Sequence, residues 1–255
     1  MSTPLLSESV DKVLILRLSR PPSNNLDMEL LKALDSALGS FAAEGSARAL
    51  VISSSCPRYF SAGLDPAEFE RRPEGRRAEP LAAILGLFAR LRECSKPIVG
   101  ALTGSALYGG CILALGCDWR IAAADAKLSL AEIRFGLPIP ESLLARLHSL
   151  CSPPSLVRDL VLRGRALRAE EALGAGLVDQ VVDAAQVEAE AIKEAKSLSK
   201  LAPAAFGAIK QGLRRASGES LGLSISGSEL ETLLAGEEAR EGLAAMIEKR
   251  RPRWE

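Results

Sequence analysis

The chain has 255 residues, 47% of them hydrophobic and 25% charged, as expected for a folded globular protein with room for one large domain or two small ones. Lys+Arg and Asp+Glu both number 32, so no charge excess points to nucleic acid or an anionic membrane, and 4% aromatic content argues against base stacking. Five cysteines without a CxxC pair and a single histidine, His148, argue against a Cys/His zinc centre and for buried thiols in a reducing compartment.

The N-terminal MSTPLLSESVDK lacks a basic segment followed by an apolar run, and no apolar stretch reaches the ~20 residues of a membrane span. The final PRWE is not a peroxisomal address, and a cytoplasmic location is expected.

In chain order, Val13–Leu18 (VLILRL) reads as a strand before the turn-forming Arg20-Pro21-Pro22-Ser23-Asn24-Asn25. Asp27 can cap a helix running to about Phe41, with Leu30, Leu31, Leu34, Ala37 and Leu38 on one face. Residues 49–53 form a second buried strand, and residues 59–65 (YFSAGLD) a loop. The charged stretch 68–79, broken by Pro73 and Gly75, predicts a loop or a short helix. Helical periodicity returns over 81–93, and Lys96-Pro97 ends it before a third strand, Ile98–Leu102. Small, apolar residues fill 104–116, suited to a tightly packed helix; Trp119–Ala123 and 127–130 are further strands. From Leu143 the pattern is mainly helical, with one more strand near 177–182 and an amphipathic end over 229–250. Strands alternating with helices predict an α/β fold, with a core over 1–195 and a helical region over 196–255.

Several familiar chemistries drop out. A catalytic triad would need His148, which sits in the helical, apolar LLARLHSL, and the one G-x-S-x-G match (Gly218-Glu219-Ser220-Leu221-Gly222) follows no predicted strand. The glycine-rich 104–110 is neither a Walker loop nor G-x-G-x-x-G. Backbone donors and carboxylates remain. Phe60-Ser61-Ala62-Gly63-Leu64-Asp65 follows a strand, and its small residues leave N–H groups unshielded. Leu107-Tyr108-Gly109-Gly110-Cys111 opens a helix, where N–H groups lack partners and the dipole favours negative charge. Two such donors on one oxygen make an oxyanion hole; alone, each glycine pair reads rather as an ordinary turn or close-packing site.

Together and in this order, these segments resemble the crotonase, or enoyl-CoA hydratase/isomerase, superfamily. The pattern F-[SA]-[AS]-G-x-D matches FSAGLD at 60–65, and Gly109-Gly110-Cys111 leads to Cys117-Asp118-Trp119-Arg120. E-[IV]-x-x-G matches Glu132-Ile133-Arg134-Phe135-Gly136, and G-x-x-x-x-A-x-E-A followed by G-L-V-D-x-V lies within 162–182. The resemblance implies a spiral of ββα units, a C-terminal helical trimerisation region giving a homotrimer or dimer of trimers, and coenzyme A thioester substrates. It also implies no separate cofactor or metal. By the same resemblance the N–H groups of Ala62 and Gly109 form the hole, and Ser61, Ala62, Gly63, Leu64, Asp65, Gly109 and Ile112 bind substrate.

Hydratases of this family carry two glutamates that position one water across a double bond. The first position, three residues beyond the hole glycine, is Ile112 here; the second is Glu132. A single carboxylate suits a 3-enoyl to 2-enoyl shift, and YGGCILALGCDWRIAAA resembles the Δ3,Δ2-enoyl-CoA isomerases most. Ile112 and Leu137 should desolvate Glu132 and raise its pKa, making it a base near neutral pH. The run Gly136-Leu137-Pro138-Ile139-Pro140-Glu141 and Ala131 depart from the family pattern, with Glu141 a candidate second carboxylate. Hydratase, decarboxylase or thioester hydrolase activity, and a non-catalytic acyl-CoA-binding role, stay open as alternatives.

Overall fold

The computed structural model describes residues 3–73, 75–219 and 227–254. In chain order, the strands β1 (Leu5–Val10) and β2 (Val13–Leu18) precede helix α1 (Met28–Ala43). There follow β3 (Ala49–Ser54), β4 (Tyr59–Ser61), α2 (Pro66–Arg71), α3 (Glu79–Glu93), β5 (Ile98–Leu102), β6 (Ser105–Leu107) and α4 (Gly109–Gly116). Next come β7 (Trp119–Ala123), β8 (Lys127–Ser129), a 3-10 turn at Glu132–Phe135, α5 (Glu141–Leu150), α6 (Ser155–Leu162), β9 (Leu167–Arg168), α7 (Ala169–Gly174) and β10 (Gln180–Val182). Helices α8 (Val187–Leu198), α9 (Pro203–Ala216), α10 (Gly227–Ala235) and α11 (Glu237–Ile247) complete the chain.

Two sheets result. The larger has the order β1-β2-β3-β5-β7-β10, parallel except for the β1–β2 hairpin; the smaller has the order β4-β6-β8-β9. Each pass of the chain lays one strand in the large sheet, one in the small sheet, and then a helix. This is the ββα spiral, and β3–β4, β5–β6 and β7–β8 are its successive turns.

The physical basis is direct. The strands β3 and β5 are buried at every position, which matches their continuous apolar runs in a parallel sheet covered on both faces. Helix α1 starts where the Asp27 carboxylate accepts the Leu30 N–H, and it buries Leu30, Leu31, Leu34, Leu38 and Phe41. At about 1.5–3 kcal/mol per buried large apolar side chain, that stripe anchors the helix. All eight residues of α4 are buried, and a Cβ at Gly116 would lie 2.6 Å from Leu91, so the close contact with α3 requires glycine.

Residue 195, the expected boundary between core and helical region, falls inside α8, which continues to Leu198. The later helices do not stand apart either. A Cβ on Gly242 of α11 would sit 2.4 Å from Phe135, and one on Gly136 would meet Glu238 at 2.7 Å, so α11 is pressed onto the 3-10 turn. The stretch 68–79 splits into α2, capped by Asp65, and a connection to α3. Residues 220–222 of the GESLG match lie outside the described residues, and His148 is exposed on α5. All five cysteines are buried free thiols, and none of the described helices is long and apolar enough to cross a membrane.

Candidate functional site

The small sheet sets up the site. The strands β4, β6 and β8 are parallel neighbours, and each runs at its carboxyl end into one functional segment: residues 62–65 after β4, Tyr108-Gly109 after β6, Glu132 after β8. Loops at the carboxyl ends of adjacent parallel strands converge, so residues far apart in sequence share one cavity. That cavity measures about 100 Å³, and Ala62, Leu64, Gly109, Ile112, Glu132 and Leu137 all line it.

One expectation needs correction. The Ala62 N–H donates to the Ser23 carbonyl at 2.9 Å and has nothing left for a ligand. The open donor of that loop is two residues on. Leu64 forms a parallel bridge with Leu26, in which the Leu26 N–H donates to Gly63 O at 2.8 Å and the Asp65 N–H donates to Leu26 O at 3.1 Å. In this bridge Leu26 spends both its N–H and its carbonyl on the residues flanking Leu64, so the N–H of Leu64 itself faces the other way. The Leu64 N–H thus has no acceptor among the described residues, and neither has that of Gly109, the first residue of α4. The two segments touch: a Cβ on Gly109 would lie 3.3 Å from the Leu64 nitrogen. Two such N–H groups, one backed by a helix dipole, can hold a single negatively charged oxygen.

Backbone strain fixes this arrangement. Tyr108, just before Gly109, has φ 49° and ψ −125°, a conformation costing about 1–3 kcal/mol for a non-glycine residue. Its N–H donates to Ser129 O at 2.8 Å, and its ring leans on Phe135 at 5.1 Å between centroids. Gly63, at φ 93°, has room only for hydrogen, because a Cβ there would meet that of Tyr108 at 2.9 Å.

Three other residues expected to bind substrate do not line the cavity; they build the loop that does. The Ser61 hydroxyl donates to Asn24 O at 2.7 Å and accepts the Gly63 N–H at 3.1 Å. Gly63 supplies the positive-φ turn. The Asp65 carboxylate accepts the Ala67 N–H, capping α2, and pairs with Arg20 at 2.7 Å. Glu141 is exposed at the start of α5, away from the cavity.

Glu132 is 6% exposed, and its Oε2 is buried without a hydrogen-bond partner. Burial raises its carboxyl pKa to about 7, offset only in part by its own backbone N–H. Ile112 and Leu137 stand on the same cavity wall, as the desolvation argument required. The sequence reading did not find Asn25, Phe69, Leu243 and Met246, which also line the cavity. Of these, Leu243 and Met246 arrive on α11, so the C-terminal helices form part of the site in their own chain.

A ββα spiral that brings a desolvated carboxylate and two open backbone N–H groups into one apolar cavity defines a class of enzyme: one able to move a proton beside a carbonyl whose oxygen gains charge. Residues 8–255 match the enoyl-CoA hydratase/isomerase family. The chain belongs to that family, within the crotonase superfamily, and is an acyl-CoA enzyme of the hydratase/isomerase type. It is 34% identical to the 2,3-dehydroadipyl-CoA hydratase of Escherichia coli strain K12, covering 97% of both chains. To the carnitinyl-CoA dehydratase of Salmonella arizonae it is 33% identical, over 95% of this chain and 94% of the other. Its fold superposes on human mitochondrial delta3-delta2-enoyl-CoA isomerase with a TM-score of 0.87 at 26% identity, covering 96% and 97% of the two chains.

Proposed function

We propose that the protein is a Δ3,Δ2-enoyl-CoA isomerase in which Glu132 carries a proton from C2 to C4 of a 3-enoyl thioester. In this reading the N–H groups of Leu64 and Gly109 hold the dienolate oxygen, and each such donor is worth roughly 3–4 kcal/mol of barrier. Glu132 removes the C2 proton, electrons move onto the thioester oxygen, and the same carboxyl returns the proton at C4. The step consumes no water and needs no cofactor beyond the coenzyme A of the substrate.

One observation carries the proposal: among the described residues, Glu132 is the single carboxylate lining the cavity. The position from which a second glutamate would hold an attacking water is Ile112, 3% exposed and apolar. A carboxyl raised to about 7 suits both halves of the shuttle, being a competent base and a competent acid near neutral pH.

The competing reading is hydration, favoured by the names of the relatives at 33–34% identity. A comparison of cis-3-hexenoyl-CoA with crotonyl-CoA separates the two, each followed by the ultraviolet absorbance of the conjugated thioester. The isomerase reading expects conjugation of hexenoyl-CoA to dominate and Glu132→Gln to lower kcat by about 10²–10⁴. It expects kcat/KM to rise about tenfold per pH unit up to about 7 and then level off, as the free base becomes ionised. No conversion of hexenoyl-CoA, or full activity in Glu132→Gln, overturns it.

Assembly as a homotrimer or dimer of trimers belongs to the same reading. It is supported by Ile209 and Leu213 on α9, 64% and 67% exposed, which offer an apolar face to a neighbouring subunit.

A further inference from the structure

A second cavity, of about 190 Å³, adjoins the catalytic one. Phe69 and Leu243 line both, so these two side chains form a common wall. Beyond that wall the second cavity is apolar along Leu234, Ala244 and Ile247, and two arginines, Arg77 and Arg240, reach it. Among the described residues no carboxylate lines it.

Two arginines near Arg77 are paired. Arg72 bonds to Glu68 and Glu79, and Arg76 to Glu79. Arg77, in the connection between α2 and α3, has no ion pair or hydrogen bond among the described residues, and its Nε is buried without an acceptor. Glu231 stands on the far side of Arg77, but its carboxylate accepts the Ala78 N–H at 2.8 Å. A buried donor left unbonded costs about 1–3 kcal/mol, a cost that an anionic ligand would remove.

The surroundings identify the anion. The catalytic cavity, at about 100 Å³, is smaller than the ~150 Å³ that accepts a benzene ring. An acyl chain too long for this cavity has the second one directly beside it, across Phe69 and Leu243, where apolar walls lead toward the guanidinium of Arg77. A chain that ends in a methyl group leaves that donor unsatisfied. A chain that ends in a carboxylate satisfies it with a charge-assisted hydrogen bond.

We propose that the preferred substrates are ω-carboxyacyl-CoA thioesters, half-thioesters of dicarboxylic acids, with Arg77 holding the distal carboxylate on the far side of Phe69 and Leu243. The proposal rests on acyl-CoA binding in the Glu132 cavity, and not on which reaction follows.

Calorimetry on the full chain tests it without any turnover. Saturated adipyl-CoA and suberyl-CoA are compared with hexanoyl-CoA, octanoyl-CoA and free coenzyme A, in wild type and in Arg77→Met. The expected result is that one of the two dicarboxylyl thioesters binds about ten- to a hundredfold tighter than its monocarboxylyl partner, as charge-assisted hydrogen bonds allow. Arg77→Met removes that advantage and leaves hexanoyl-CoA binding unchanged, which also shows that the variant is folded. Equal affinities in wild type overturn the proposal. So does a loss in Arg77→Met shared equally by all ligands and by free coenzyme A, which would place Arg77 on the coenzyme A phosphates. A protein that binds dicarboxylyl thioesters tightly yet shifts no double bond would sink the isomerase reading and leave this one standing.

Discussion

Two buried regions of the molecule handle charge in opposite ways. Beyond the carboxyl end of α4, the chain buries the side chains of Asp118, Arg92, Lys210 and Glu219 together. Asp118 accepts from Lys210 at 2.8 Å and from the Ile98 N–H at 2.9 Å, and it lies 3.4 Å from Arg92, which pairs with Glu219 at 3.0 Å. In the cavity at the amino end of the same helix, Glu132 is equally buried, yet its Oε2 has no partner and its pKa rises to about 7. Burial alone thus does not mark a functional carboxylate. A matched partner makes a buried charge a structural tie; the absence of one leaves a group poised to take up and release a proton.

The contrast breaks most visibly on the structural side. Asp118→Ala strands Lys210 and Arg92 without their shared acceptor, and about 3–5 kcal/mol of stability should be lost. For a chain of this size that lowers Tm by roughly 10 °C in a thermal melt, while kcat measured well below the melt changes less than about twofold. Unchanged stability would mean that the network ties nothing together.

Gly110→Ala tests the joint between α4 and the donor loop on the catalytic side. Its Cβ would lie 2.3 Å from the Ser61 carbonyl oxygen, so the start of α4 must move away from the loop carrying Leu64. Separating two donors that must meet on one oxygen should lower kcat by about a hundredfold. A variant with wild-type kcat and the same fold would remove the paired-donor account.

A smaller effect sharpens the contrast on the catalytic side. The Glu132 carboxyl keeps its proton in the folded protein up to about 7, whereas its ordinary value is 4.5. The unfolded chain binds fewer protons between those two values, so stability falls as pH rises through that window and is level above it. Glu132→Gln removes this slope and should be more stable than wild type by roughly 3 kcal/mol at pH 8, measured by urea unfolding. Parallel stability curves for the two proteins would show that Glu132 is not held out of water.

How far the sequence reached follows the same physics. The strands β3 and β5 are legible because parallel strands covered on both faces are largely apolar runs, β2 because VLIL leads into a turn, and α1 because Asp27 and the leucine spacing announce it. The edge strand β1 is not, since LLSESV is largely exposed and its polar residues read as a loop. Nor are the short strands β4, β6 and β9, whose two or three residues carry no period. In the site, Gly109 and Glu132 stand where their motifs put them. Leu64 was within reach as a lining residue but not as the donor. Which N–H of 62–65 stays open depends on Leu26 bridging to Leu64 and Ser23 taking up Ala62, pairings no local pattern encodes. Phe69, Leu243 and Met246 were hidden for the same reason: their place on the cavity depends on how α2 and α11 pack.

If one carboxyl group performs both proton transfers, the label it removes at C2 reappears at C4. With cis-3-hexenoyl-CoA deuterated at C2, a single shuttling Glu132 predicts that deuterium appears at C4 of the trans-2-hexenoyl-CoA product from the first turnovers. Product whose C4 carries only solvent protium from the outset would contradict the direct shuttle.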